Sequence, residues 1–363
     1  MIILFLSNNL GYGGKERQIA EILTFLAKTT PHQYILLLRG NSIDFYLPVL
    51  SNLKIIKPPK RLTFLQFILF QKKVINEICP DIIHSWEGVV TLSAIIMRLI
   101  SGSKCKIIDG SLRYAKKFGY FSKMNFINMI NATFANVVVA NSNAGLTSAG
   151  FQEKGKFHVL TNGFDMSQFS SYEVSKNKDK ILLIVMVASF TAAKDFQSMV
   201  RAAISIFDAG HAFQVLFVGN GPERGTVEQS IPDKYKNRFI FTGYLPSKKV
   251  LELVSKSDIG ILLSKKGHSE GMSNTIMEYM ILGIPVICTA TGGNPELICD
   301  DYNGFLIPHE DTAILAEKLK LLLRDENKRM VMGERSKKIA CEKFAIEKVA
   351  PQYLELYSSL LKE

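Results

Sequence analysis

No uninterrupted apolar run in the 363 residues approaches the roughly 18 that a membrane-spanning helix needs. The N-terminus, MIILFLSNNL, lacks a basic leader and a small-residue cleavage site, so it reads as a first buried strand rather than a signal peptide. Cysteine is sparse: Cys79, Cys105, Cys288, Cys299 and Cys341 form no C-x-x-C pair, and no His stands at metal spacing beside them. That excludes a zinc ribbon or a disulfide framework, and the five read as reduced core residues of a cytoplasmic protein. The second half lacks a D-x-D pair at a strand end; Asp300 and Asp301 are merely adjacent. There is no RNP-type strand, zinc pattern or helix-turn-helix, which argues against nucleic acid as a partner. Internal repeats and low-complexity tracts are also missing.

What is present is a long chain with 47% hydrophobic residues, too large for one small core and suited to two α/β domains. Strand-like apolar runs alternate with helical periods, the signature of parallel βαβ units. In the first half they are residues 2–7, 33–38, 54–56, 82–85, 105–108, 137–140 and 157–161; in the second, 181–188, 214–218, 239–242, 259–263 and 285–289. The polar stretch 170–180 has little to bury and reads as a linker, giving domains 1–170 and 171–345, with a last helix near 346–363. Charge is divided unevenly. Residues 1–170 hold 19 Lys and Arg against 9 Asp and Glu, +10 of the total +11. An anionic partner is therefore expected on the first half, and a membrane surface fits better than nucleic acid. The segment Arg61 to Val74, with Phe64, Phe67 and Phe70 between basic ends, reads as an interfacial helix. It also fits an ordinary domain-packing helix.

The densest chemistry lies between Ser269 and Ile298. Glu270 sits in a loop, and Glu278 follows eight residues later inside a helical period that ends at Gly283. Between them Gly271, Met272, Ser273, Asn274 and Thr275 lead into the helix, where backbone N–H groups and the macrodipole can meet a phosphate. Glu278 would then accept hydrogen bonds from two vicinal ribose hydroxyls. An ordinary helix-start acid and a solvated face residue would look the same in isolation. The glycines on both sides, Gly271, Gly283, Gly292 and Gly293, point instead to close backbone approach.

At these residues the chain resembles the retaining, nucleotide-sugar-dependent glycosyltransferases of the GT-B fold, family 4. The two Glu residues, Gly283-Ile284-Pro285-Val286-Ile287 and Gly292-Gly293-Asn294-Pro295-Glu296-Leu297 carry the likeness. It implies two Rossmann-like α/β domains with parallel sheets facing across a cleft, the last helix returning to the first domain. In that resemblance Gly13, Gly14 and Glu16 form a first loop that closes over donor phosphates and acceptor. Lys194 neutralises the donor diphosphate, Glu270 positions the sugar, and Gly243 and Tyr244 edge the base. His84 ends a buried strand at the ligand side of such sheets, and is as readily a structural residue.

Two departures stand out. Where many relatives carry a His after the next strand, this chain has Asp109, Gly110, Ser111 and Arg113. Arg113 there would bind an acceptor phosphate, and Asp109 would orient a hydroxyl; a strand-end turn with a solvated Arg is the alternative. The Arg that commonly precedes the diphosphate Lys is replaced by the stretch Ala188-Ser189-Phe190-Thr191. The resemblance implies sugar transfer from a UDP-sugar to a glycan or lipid-linked acceptor in bacterial surface polysaccharide synthesis. No metal or other cofactor is expected beyond the nucleotide-sugar co-substrate, at the inner face of the plasma membrane. An epimerase of the same fold would explain the phosphate site but not the basic first half. A non-catalytic binding subunit would explain that half but not Glu270, Glu278 and Lys194 together.

Overall fold

The first strand, β1 (Ile2–Ser7), is buried at every position after its first. Both of its faces need cover, the demand of a parallel sheet with helices on either side. The computed structural model, which describes all residues except 12, 44–49, 116–118, 120–121, 173–180 and 363, meets that demand by alternation. After β1 come α1 (Gly14–Thr29), β2 (Gln33–Leu38), β3 (Lys54–Ile56), α2 (Phe64–Ile78), β4 (Ile82–Ser85) and α3 (Gly88–Ser101). Then follow β5 (Lys106–Leu112), α4 (Lys123–Phe134), β6 (Val137–Ala140), α5 (Asn143–Ser148) and β7 (Phe157–Val159). The seven strands form one parallel sheet in the order β3-β2-β1-β4-β5-β6-β7.

Handedness decides which helix covers which face. α1 leads from β1 one way across the sheet, whereas α2, α3 and α4 lead from β3 to β6 the other way, so right-handed crossovers put them on opposite sides. The two-residue period of β1 records this split. Ile3 and Phe5 join a core with Ile19, Leu23 and Leu26 of α1, while Leu4 and Leu6 join one with Phe67, Val90, Ala94 and Ala132.

The second unit begins with β8 (Leu182–Val187), α6 (Phe196–Asp208), β9 (Phe213–Val218), α7 (Arg224–Gln229), β10 (Phe239–Phe241), α8 (Ser247–Ser255) and β11 (Ile259–Leu262). It continues with α9 (Asn274–Ile281), β12 (Val286–Thr289), α10 (Asn294–Leu297), β13 (Gly304–Ile307), α11 (Thr312–Arg324) and α12 (Glu326–Lys343). Its sheet is parallel, ordered β10-β9-β8-β11-β12-β13. The last helix, α13 (Ile346–Lys362), belongs to the first unit, which comprises Met1–Asp165 and Phe344–Glu363; the second is Met166–Lys343. Backbone bonds from Phe164 to Phe344 at 2.8 Å and from Ile346 to Phe164 at 2.9 Å tie the returning chain down. Val349, Tyr353, Tyr357 and Leu360 then enter the α1 core.

Several expectations need correction. β13 has no counterpart in the sequence reading; it opens on Gly304 directly after the turn at residues 301–303. β5 runs on to Leu112, so Asp109 and Ser111 lie within a strand and not in a turn after it. The units divide at Asp165 and Met166, ahead of the expected linker, most of which lies outside the described residues. Cys105 and Cys288 are buried, but Cys79, Cys299 and Cys341 are exposed. In α2 the outward residues are Leu65 and Leu69, while Phe67 is fully buried. Among the described residues no helix is long and apolar enough to cross a membrane.

Candidate active site

In an open parallel sheet, loops at the carboxyl ends of the strands splay apart where strand order reverses, and ligands bind there. In the second unit that switch point lies between β8 and β11. Lys194 follows β8, and Glu270 follows β11. Their side chains meet: Lys194 Nζ donates to Glu270 Oε1 at 2.6 Å, with the Lys side chain 10% exposed and the Glu side chain 42%. Both backbones are clamped. A bridge pairs Lys194 with Ser264 at the end of β11, and Asp195 next to it caps α6 by accepting from Ser198 N–H at 3.0 Å. On the other side, Gly293 N–H donates to the Glu270 carbonyl at 3.1 Å, and the Ser269 and Thr291 hydroxyls are 2.8 Å apart. A Cβ on Gly292 would lie 2.1 Å from the Glu270 carbonyl oxygen, and one on Gly293 would lie 1.8 Å from that of Gly271. The glycine pair therefore lets the loop after β12 press against the loop that carries Glu270.

From Glu270 the chain enters α9 through Gly271 and Met272, both buried. Ser273 stands at the N-cap, but its side chain accepts no cap hydrogen bond from the first turn, where Asn274 and Thr275 follow. Glu278, one turn in, is 8% exposed. Its neighbour Tyr279 anchors the helix by accepting the Val187 N–H at the end of β8 at 2.9 Å. Gly283 ends the turn in a left-handed conformation, φ 71°. At the far side of the same sheet, Gly243 (φ 73°) accepts the Gly219 N–H at 3.0 Å, joining the loops after β9 and β10. Tyr244 beside it is half exposed. Lys194, Glu270, Gly271 to Thr275 and Gly243 thus all sit at one carboxyl edge.

The first unit repeats the arrangement at its own switch point, between β1 and β4. Gly13 is the N-cap of α1, Gly14 opens it, and Glu16 folds back toward Gly13 while pairing with Lys15 Nζ at 3.1 Å. Lys15 also pairs with Glu87, the residue that precedes α3 after β4. Glu87 is a hub: it accepts from Ser7 Oγ at 3.2 Å and Asn8 N–H at 3.1 Å, as well as from the Asn8 amide. Burial pulls the Lys15 pKa down against the opposing pull of Glu16. Sequence reading passed over Glu87; its position immediately before a helix at a switch point was the available signal.

Four residues expected on the acceptor side lie deeper than anticipated. His84 is fully buried, with Nδ1 2.8 Å from the Tyr357 hydroxyl and Phe5, Trp86 and Tyr353 rings around it. Burial holds its pKa down at about 3, which keeps the ring neutral, and Nε2 is buried without a hydrogen-bond partner among the described residues. Asp109 is also buried; it accepts from Thr91 Oγ1 at 2.8 Å and Ser111 N–H at 3.2 Å, and burial raises its pKa. That makes it a strut between β5 and α3. The Ser111 hydroxyl is buried beside the Asp109 carboxyl, whose pKa it holds down against burial. Arg113 is not solvated: its guanidinium stacks 3.7 Å from the Trp86 ring centre, Nε donates to the Gly110 carbonyl at 3.0 Å and Nη1 to Asn162 at 3.3 Å. Tyr353 adds a further interaction with the guanidinium, opposing the lowering of the Arg113 pKa by burial.

Two Rossmann-like units, each built on a parallel sheet, make up the GT-B architecture. Residues 168–339, nearly all of the second unit, match the family model of glycosyl transferases group 1. The chain is 33% identical over 200 residues to N-acetyl-alpha-D-glucosaminyl L-malate synthase of Bacillus anthracis, covering 55% of this chain and 50% of that protein. It is 21% identical over 346 residues to the capsular polysaccharide biosynthesis glycosyltransferase CapM of Staphylococcus aureus, covering 89% and 87%. The chain spans half the length of the first of these relatives and 41% of the putative colanic acid glycosyltransferase WcaL of Escherichia coli. Among solved structures, Anabaena HepE in complex with UDP-glucose superposes with a TM-score of 0.81 at 20% identity, over 99% of this chain and 100% of that one.

Proposed function

We propose that this chain is a retaining glycosyltransferase that moves a sugar from a UDP-sugar to a hydroxyl of a glycan or lipid-linked acceptor in bacterial surface polysaccharide synthesis. The observation that carries the reading is the Lys194–Glu270 pair at the β8/β11 switch point, followed directly by the start of α9 and by buried Glu278. Lys194 meets the diphosphate, the first turn of α9 adds backbone N–H groups, and Glu278 holds the ribose. Glu270, clamped by Gly293, orients the sugar. The bond between anomeric carbon and phosphate oxygen breaks as the acceptor oxygen bonds on the same face. The acceptor proton passes to the departing phosphate oxygen, so the reaction needs neither a protein nucleophile nor a metal ion. CapM and WcaL, by their names, act in polysaccharide synthesis, and HepE was solved with UDP-glucose; these likenesses support the choice of donor and pathway class.

The test is a thermal-shift screen of UDP- and GDP-sugars, followed by mass and anomeric NMR analysis of products on lipid-linked oligosaccharides. A ligand at about 100 times its Kd adds about 2.7 kcal/mol of stability, an easily read shift. Stabilisation by a UDP-sugar and an α-linked product from an α-linked donor is expected. An inverted linkage, an epimerised nucleotide-sugar, or stabilisation by GDP-sugars alone would overturn the reading.

A further inference from the structure

α2, α3 and α4 lie side by side on one face of the first sheet, α3 in the middle. Their inner residues fill the core, yet their outer residues are not the polar set that a solvated face requires. Leu65 and Leu69 on α2 are 72% and 69% exposed, Leu99 and Ile100 on α3 are 65% and 62%, and Phe126 and Met129 on α4 are 66% and 49%. The spacings on α2 and α4, four and three residues, put each pair on one stripe. Single exposed apolar residues are ordinary, but a set of large ones across three adjacent helices marks a contact surface.

Charge identifies the partner. The three helices carry Lys72, Lys73, Arg98 and Lys123 against one carboxylate, Glu77, within the half of the chain that holds nearly all the positive excess. A second copy docked face to face would set cations against cations. An anionic bilayer complements both features at once: acyl chains accept the leucines and aromatics, and headgroup phosphates accept the lysines.

We propose that the outer face of α2, α3 and α4 docks onto an anionic lipid surface, with Leu65, Leu69 and Phe126 entering the headgroup boundary. The surface lies in the first unit, so this inference stands apart from the donor chemistry of the second and would survive a different choice of donor. The sequence pointed to Phe64, Phe67 and Phe70 instead, and burial of Phe67 removes that version.

The experiment is co-sedimentation of the full chain with vesicles of phosphatidylcholine alone and of an equal mixture of phosphatidylcholine and phosphatidylglycerol. The chain is expected to bind the mixed vesicles, more weakly as salt shortens the Debye length from about 10 Å, and to leave phosphatidylcholine vesicles in large part unbound. Replacing Leu65 and Leu69 together by Ser should cut binding at least about tenfold, as should reversing Lys72 and Lys73 to Glu. Met330→Ser, a change at a half-exposed apolar residue of α12 in the second unit, should leave binding intact. Thermal melts check that each variant stays folded, as expected at such exposed positions. Equal binding by the Leu65→Ser/Leu69→Ser variant, equal binding to both vesicle types, or binding to neither would overturn the proposal. So would sedimentation equilibrium showing a dimer that the double variant dissolves.

Discussion

Replacing Lys194 by Ala separates catalytic charge from fold stability, because the structure makes the two effects very unequal. Its partner Glu270 has a side chain 42% open to solvent, so the ion pair is screened and contributes about 1 kcal/mol or less to stability. In a protein of this size that corresponds to a fall in Tm of a few degrees, about 2 to 4 °C per kcal/mol. The transition state is another matter. A leaving diphosphate gains charge as the glycosidic bond breaks, and a unit charge at about 3 Å in an effective dielectric near 20 is worth about 5 kcal/mol before solvation costs. Removing one preorganised donor of this kind typically loses about 2.7 to 4 kcal/mol, a factor of roughly 10² to 10³ in kcat. The assay is steady-state and single-turnover transfer from UDP-sugar, beside a thermal melt of each variant. Lys194→Ala should keep its melt and lose kcat and kcat/KM together, the mark of an interaction made in the transition state. Lys194→Arg should recover part of the loss, since charge without the same geometry is partial compensation. A folded Lys194→Ala variant that transfers sugar at the wild-type rate would refute the assignment.

Glu278→Ala should cut kcat/KM by roughly two or more orders of magnitude, because it removes two charge-assisted hydrogen bonds of about 1.5 to 3 kcal/mol each to the ribose; near-wild-type transfer would sink the ribose role. EDTA should leave transfer intact, with Lys194 and the start of α9 meeting the phosphate charge; complete loss, restored by magnesium or manganese, would reveal a metal requirement. The third concerns acid stability. His84 is neutral in the fold with a pKa of about 3 against an ordinary 6.5 unfolded, so the unfolded chain binds the extra proton between those values. Stability should fall as pH drops below about 6.5, by up to about 1.4 kcal/mol per pH unit from this one group. Denaturant melts between pH 7 and pH 4 should show a shallower slope in His84→Gln; an unchanged slope would mean that His84 is charged in the fold.

The strands were legible because parallel strands covered on both faces must be nearly continuous apolar runs, and β1, β2, β4 and β6 are. β13 escaped because it opens on Gly304 straight out of a turn and is held there by tertiary contacts, Asn303 among them, which accepts the Cys299 N–H at 2.7 Å. α2 illustrates a different limit. A helix with apolar residues around most of its circumference does not announce which side faces in, so Phe67 was read outward when only packing against β1 and α3 decides. Arg113 was expected to bind an acceptor phosphate, with a solvated strand-end Arg as the alternative, and either reading leaves the guanidinium open rather than stacked on a ring. Trp86 supplies the flat ring on which it stacks, and that pairing across 27 positions of sequence leaves no local signal.

The carboxyl edges of the two units differ in legibility for a related reason. In the second unit the constraint acts on the backbone: a Cβ at Gly292 or Gly293 would strike a carbonyl oxygen of the loop that carries Glu270, and only glycine satisfies it. Constraints of that kind are written into the sequence as residues with no substitute, which is why the stretch from Glu270 to Leu297 could be read without a structure. In the first unit the equivalent place is held by side chains. Glu87 gathers Ser7, Asn8 and Lys15 through hydrogen bonds that Asp, Gln or Ser at neighbouring positions could make in other ways. Such a hub has no fixed spelling. The donor residues therefore form a pattern shared with many chains. Asp109, Ser111 and Arg113, expected on the acceptor side, carry no such pattern, and their surroundings have to be found from the packing of β5 itself. That difference is what the proposed transfer would call for, a nucleotide common to many enzymes and an acceptor particular to each.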